Sequence, residues 1–165
     1  MIKQFVPQEV CLKCEGCCRF TQADSVWLPC LLDKEIQDLL EKKIPPVSIS
    51  AKRKIQPILN PAGDGYTCAF FNPADNKCKI YDLRPFECQL YPFIINLRGK
   101  KVLLTVDLNC PYVKENMNKK EFEDYVNYLS AYLNSPEQLE MLKDNPQIIQ
   151  AYEDVLDVIE LNVPK

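Results

Sequence analysis

Apolar residues along this chain keep more than one rhythm, and each rhythm predicts a different element. Between Glu35 and Lys43, Ile36, Leu39 and Leu40 return at helical spacing. Asp33 stands where such a helix would be capped, and Ile44-Pro45-Pro46 where it would stop. Ahead of it, Val26-Trp27-Leu28-Pro29 reads as a short extended piece, and residues 47–64 as strand-like or linker-like pieces cut by Pro57 and Pro61. Gly63-Asp64-Gly65 turns the chain into Tyr66–Phe71, which should pair with Cys78–Tyr81 across Asn72-Pro73-Ala74-Asp75-Asn76. Asp82 caps a helical turn running through Leu90, which Pro92 ends. Phe93–Leu97 and Lys101–Val106 then predict a second hairpin around Arg98-Gly99-Lys100.

After Cys110-Pro111 the spacing turns helical. Phe122, Tyr125, Val126, Tyr128, Leu129 and Leu133 mark a helix over Glu121–Leu133. Ser135-Pro136 starts another, and Asn145-Pro146 a third toward Ile148, Ile149, Tyr152, Val155, Leu156 and Ile159. The expected architecture is α+β, a single domain over residues 1–165. Cysteine-clamped hairpins and turns would surround a metal site in a core spanning 5–111, covered by a helical C-terminal extension over 112–165.

Composition adds mainly exclusions. A hydrophobic content of 47% and a charged content of 26% are those of an ordinary globular chain, and a net charge of −3 does not suit a protein that coats nucleic acid. No apolar run approaches the roughly 20 residues of a membrane span. Met-Ile-Lys-Gln-Phe-Val-Pro lacks the apolar stretch of a secretory signal, so the expected location is the cytoplasm, where thiols stay reduced. The cysteines then read as ligands and not as disulfides.

The chemistry lies in those cysteines. Four of the nine fall within eight residues, as Cys11-Leu-Lys-Cys14-Glu-Gly-Cys17-Cys18, and the chain has no histidine. A metal site here must be built from thiolates, which favours all-cysteine zinc or an iron–sulfur cluster over mixed Cys/His sites. Gaps of two residues let a loop wrap the corners of a cluster, and Cys110-Pro111 has the form of a distant fourth ligand. Zinc accepts the same pairs. Adjacent Cys17 and Cys18 point apart in any regular backbone. One of them should therefore reach a second site, lie beside the first, or act as a redox-active thiol. Gly16 would relieve crowding in the run.

The run 11–18, together with Cys78-Lys-Ile-Tyr81-Asp-Leu-Arg84-Pro85-Phe86-Glu87-Cys88-Gln-Leu-Tyr91-Pro92-Phe93, resembles the YkgJ-type CxxCxxCC family of zinc- or iron-chelating proteins. Cys68-Ala-Phe-Phe71 and Cys110-Pro111 extend the resemblance, which covers roughly residues 11–111. It implies a cysteine-bound metal centre. The same cysteine module also occurs in flagellin lysine N-methylases. Cys30 lies outside the pattern and reads as a bystander.

The expected ligands are Cys11, Cys14, Cys17, Cys18, Cys68, Cys78, Cys88 and Cys110, converging in one region as two four-thiolate sites or as one site with a redox-active set. Arg84 has two readings: an ion pair with Asp82 or Glu87 that holds the turn, or a donor of hydrogen bonds toward thiolate or sulfide around the cofactor. Tyr81 and Tyr91 read as packing aromatics. Gly63-x-Gly65 precedes a strand, where a dinucleotide site would need glycines after one. The leading functional expectation is a 4Fe–4S protein with a redox or accessory role. The alternatives are a zinc-stapled, non-enzymatic module whose C-terminal helices bind a protein partner, and an accessory to, or part of, a protein N-methylase system.

Overall fold

A computed structural model describes residues 2–14, 16–61 and 63–164; Glu15 of the cysteine run and Ala62 of the 47–64 stretch lie outside the described residues. Chain contacts divide the protein into a cysteine-rich unit, Pro7–Gln89, and a second unit made of Met1–Val6 and Leu90–Lys165. The second hairpin and Cys110 therefore group with the C-terminal segments, so the contacts divide at residue 89 where the sequence suggested 111. Helices and antiparallel strands are both present, and the fold is α+β.

In the cysteine-rich unit, α1 (Gln8–Cys11) is one turn and β1 (Arg19–Phe20) follows the cysteine run. Next comes α2 (Asp33–Glu41), whose cap residue is Leu32, where Asp33 was expected. Leu32 has no side-chain acceptor for the first-turn N–H groups, and its own N–H is taken by the Glu35 carboxylate at 2.9 Å. Asp33 is helical and ion-paired to Arg53. The piece expected to be extended at Val26–Leu28 is a turn, closed by the Leu28 N–H donating to the Ser25 carbonyl at 3.2 Å.

Strands β2 (Pro57–Leu59) and β3 (Tyr66–Cys68) complete a sheet in the order β1-β3-β2. Both pairings are antiparallel, with Phe20 opposite Tyr66 and Pro57 opposite Cys68. A short hairpin, β4 (Phe71–Asn72) and β5 (Lys77–Cys78), sets Phe71 opposite Cys78. The pairing expected between Tyr66–Phe71 and Cys78–Tyr81 thus reduces to this hairpin, because β3 is already flanked on both sides. A 3₁₀ turn over Tyr81–Leu83 leads into α3 (Phe86–Leu90). Phe20, Leu28, Leu31, Leu39, Ile55, Phe70, Phe71 and Ile80 form the core, and Cys68 is part of it.

The second unit is built on β6 (Phe93–Arg98) and β7 (Lys101–Asp107), joined through Gly99 at φ +65°, the hairpin expected around Arg98-Gly99-Lys100. Then come α4 (Pro111–Asn116), α5 (Lys120–Leu133) and α6 (Pro136–Asp144), the last capped by the Ser135 hydroxyl. The expected all-helical extension is corrected at its end. Residues Pro146–Ile148 make one 3₁₀ turn, and Val155–Glu160 is β8, antiparallel to β7. Two adjacent apolar pairs, Val155-Leu156 and Val158-Ile159, satisfy helical spacing, but β-branched residues beside the otherwise open edge of β7 favour a strand. The buried Asn96 side chain holds the approach to β8 by donating to the Tyr152 carbonyl at 3.3 Å and accepting the Tyr152 N–H at 2.9 Å. Phe5 packs its ring against Phe93, Tyr112, Phe122 and Tyr125.

Candidate metal centre

The cysteine run leaves α1 through a tight turn in which the Cys14 N–H donates to the Cys11 carbonyl at 3.1 Å. Asn76, at φ +56° in the β4–β5 turn, donates from Nδ2 to the Leu12 carbonyl at 3.1 Å and so ties the run to that hairpin. A Cβ on Gly16 would meet Cys14 Sγ at 3.6 Å, an ordinary contact, so crowding does not require glycine there. Cys11 and Cys17 are exposed, while Cys14 and Cys18 are half-buried. The Cys18 carbonyl accepts the Cys68 N–H at 2.9 Å and the Thr67 hydroxyl at 3.0 Å, which seats Cys18 against the end of β3.

Two backbone arrangements are made for sulfur. The N–H groups of Phe70 and Phe71 both hydrogen-bond the Cys68 thiol, and the Ile80 N–H does the same for Cys78. Donors two and three residues beyond a cysteine favour the thiolate form. Burial opposes them: it pushes Cys68 up to about 11 and also raises Cys78, where the Arg84 charge acts the other way. The Cys88 thiol is raised by burial and by the nearby sulfurs of Cys68, Cys78 and Cys17. Cys18 is raised by its hydrogen bond with Cys17, then by burial and by Cys68 and Cys88. Cys17, Cys18, Cys68, Cys78 and Cys88 thus lie within electrostatic reach of one another in one unit.

Cys11 ends α1, and Cys14 follows it in the tight turn. Cys110 is buried in the second unit at the start of α4, its N–H donating to the Asp107 carbonyl at 3.3 Å. Cys30 is buried, pairs with Lys54 as an isolated bridge, and gives its N–H to Glu87 at 2.5 Å. Glu87, Lys54 and Arg53 influence its thiol, which burial pushes up to about 11.

All nine cysteines are thiols. Among the described residues no three cysteine or carboxylate side chains are gathered tightly enough to hold an ion as they stand. The donor chemistry fits a thiophilic cation: sulfur ligands, backbone N–H groups aimed at two of them, and a buried cation beside them. That cation is Arg84, whose Nε and Nη2 are shielded from solvent and have no hydrogen-bond partner among the described residues. The ion pair considered for it with Asp82 or Glu87 is not formed.

Glu35, which the sequence offered only as the start of a helix, also shapes the site. Glu35 reaches 51 residues along the chain to accept the Phe86 N–H at 2.5 Å, capping the helix that carries Cys88. Burial pushes its carboxyl up to about 6, and Glu87 to about 8. Glu35 stands three residues after Leu32, the capping-box spacing, and a polar residue at 32 would have signalled half of its role.

The chain is 28% identical to Uncharacterized protein MJ0661 of Methanocaldococcus jannaschii over 102 residues, 59% of this chain and 52% of that protein. It therefore spans about half the length of the curated relative it matches. No solved structure matches it. The CxxCxxCC family model, described as "Putative zinc- or iron-chelating domain", matches residues 10–121, and the chain belongs to that family.

Proposed function

We propose that this protein holds an iron–sulfur cluster, with a redox or accessory role in the cytoplasm. The observation that carries the reading is the gathering of Cys17, Cys18, Cys68, Cys78 and Cys88 on one unit. Five thiols supply the four that either a cluster or a tetrahedral zinc takes, and the two-residue gaps of Cys11, Cys14 and Cys17, which let a loop wrap cluster corners, favour the cluster. Cys18, Cys68, Cys78 and Cys88 would hold the group. Cys17, Cys14 and Cys11 would extend the ligand set from the loop, and Cys110 is retained as a candidate of the C-terminal unit. When bound, the group supplies one-electron transfer. The chain's own residues exclude water through the Phe70, Phe71 and Ile80 layer, orient two sulfurs through backbone N–H groups, and offset charge through Arg84. A protein partner would engage the C-terminal helices, where Tyr128 and Tyr132 stack at 6.3 Å along α5.

A zinc-stapled module is the second reading. It is favoured by the N–H donors on Cys68 and Cys78, which suit a closed four-thiolate ion equally well. Anaerobic purification followed by metal and sulfide analysis separates the two. Brown protein with iron and labile sulfide supports the cluster; colourless protein with zinc and no sulfide overturns it in favour of the staple.

A further inference from the structure

Arg84 sits in the turn that links Cys78 to Cys88, and its surroundings are unusual for an arginine. A guanidinium stays charged at any pH a protein meets. Burying such a donor without an acceptor is among the costlier arrangements in a fold. Here Nε and Nη2 are both shielded and unpartnered among the described residues. The Tyr81 ring lies 4.0 Å from the guanidinium carbon, a stacking distance, so it offsets charge on the guanidinium face and accepts none of the in-plane hydrogens. The backbone around the side chain is fixed. The Leu83 N–H donates to the Ile80 carbonyl at 2.8 Å, and Gln89 Nε2 donates to the Arg84 carbonyl at 2.7 Å. By its place in the chain Arg84 lies between two cysteines of the set, six residues after Cys78 and four before Cys88, and its Nε and Nη2 are shielded within that cysteine-rich unit.

We infer that Arg84 is the charge-balancing donor of the thiolate centre. In the loaded protein its Nε–H and Nη2–H would donate to the sulfur of Cys78 and to an adjoining sulfur of the centre, while Tyr81 stacks on its face. This rests on the metal-centre reading of the cysteines. Four thiolates around a divalent ion carry a formal charge of −2, and a fixed cation with two unpartnered donors stabilises that state more than the neutral thiols. Arg84 therefore favours the loaded protein and costs the metal-free one.

The opposed signs make the test. Wild type, Arg84→Met, Arg84→Lys and Tyr81→Leu are each loaded anaerobically with Co²⁺, whose thiolate charge-transfer bands report sulfur ligation, and separately with Zn²⁺, whose release to a chromophoric chelator is timed. Arg84→Met should release Zn²⁺ about tenfold faster or more, equivalent to about 1.4 kcal/mol. Its metal-free form should melt no lower than wild type. Arg84→Lys should fall between, keeping the charge without the fork, and Tyr81→Leu should shift release in the same direction by less. Unchanged release from Arg84→Met overturns the inference, and so does loss of metal-free stability or of soluble protein in that variant, which would mark a merely structural arginine. If wild type itself shows no thiolate–Co²⁺ bands, the metal-centre reading fails, and the inference falls with it.

Discussion

Replacing Gly65 with alanine should loosen the cysteine-rich unit at its sheet and weaken metal uptake together. Gly65 has φ +80°, and a Cβ there would lie 2.7 Å from the Phe20 carbonyl oxygen, which is backbone and cannot swing away. The left-handed conformation costs an alanine about 1–2 kcal/mol. Pushing β1 off β3 to relieve the contact adds about 1–3 kcal/mol, as overpacking does. The sum, about 2–5 kcal/mol, is a large share of the about 4–12 kcal/mol expected for a unit of about 80 residues. At about 4–8 °C per kcal/mol, the melt should fall by about 10 °C or more. The displaced strand begins one residue after Cys18, whose carbonyl holds Cys68 and Thr67, so Co²⁺ thiolate bands should weaken as well. Gly99→Ala is the control. Gly99 also has a positive φ, at +65°, but a Cβ there meets nothing within 4 Å, so only the conformational cost applies. Circular dichroism melts and Co²⁺ titration of both variants decide the matter. Equal melting shifts, or full Co²⁺ uptake by Gly65→Ala, would refute the steric argument.

Cys88→Ser should lose metal and soluble yield together. Cys30→Ser should keep the metal stoichiometry, losing about 1–2 kcal/mol for a buried hydroxyl, which metal analysis and melting of the two variants will show. Glu35 carries a pH signature. Its folded pKa of about 6 lies above the ordinary 4.5, so the folded state keeps a proton that the unfolded chain has lost. Its contribution is present in full below pH 4.5 and is lost as pH rises through about 6, worth up to about 2 kcal/mol. Asp38 and Glu87 also face this group, so the measurement is the difference in melting-versus-pH slope between wild type and Glu35→Gln in metal-free protein; identical slopes would exclude the effect. Asn96→Ala should strip two hydrogen bonds from the buried Tyr152 backbone and cost about 2–4 kcal/mol in denaturant titration. A loss under about 0.5 kcal/mol would mean that water replaces them.

The legible parts of the fold are those where one pattern runs long enough to exclude the other. The β6–β7 hairpin has short apolar runs rich in β-branched residues on both arms and glycine at its turn, and α5 repeats its apolar face over several turns. The illegible parts are short or borrowed. Strand β1 has two residues and β2 has three, too few for a period, and both exist because β3 lies between them. Strand β8 shows the opposite failure, since its apolar pairs fit either period and a neighbouring edge decides. At the site, cysteine spacing is read directly from the chain. The N–H groups on Cys68 and Cys78 belong to backbone and leave no mark in side-chain identity, and the bond from Glu35 to Phe86 crosses 51 residues. Arg84 could be read as a charge near cysteines, but its lack of an acceptor only becomes visible when its burial is known.

The same geometry explains why a cation would matter to this unit beyond its chemistry. Cys18 precedes β1, Cys68 ends β3, Cys78 ends β5 and Cys88 lies in α3, so an ion bound by these four would join four separate elements. Their own ladders are short, and two- or three-residue strands are marginal without packing on another layer. A cation linking them closes one long loop, from Cys18 to Cys68, and two short ones through Cys78 to Cys88. Such closure removes freedom from the unfolded chain much as a disulfide does. Without the ion, the same sulfurs sit buried as neutral thiols, beside an arginine whose Nε and Nη2 have no acceptor among the described residues. On the metal-centre reading, each of these costs falls or is offset when the ion binds, so loading and folding of the cysteine-rich unit should proceed as one coupled equilibrium.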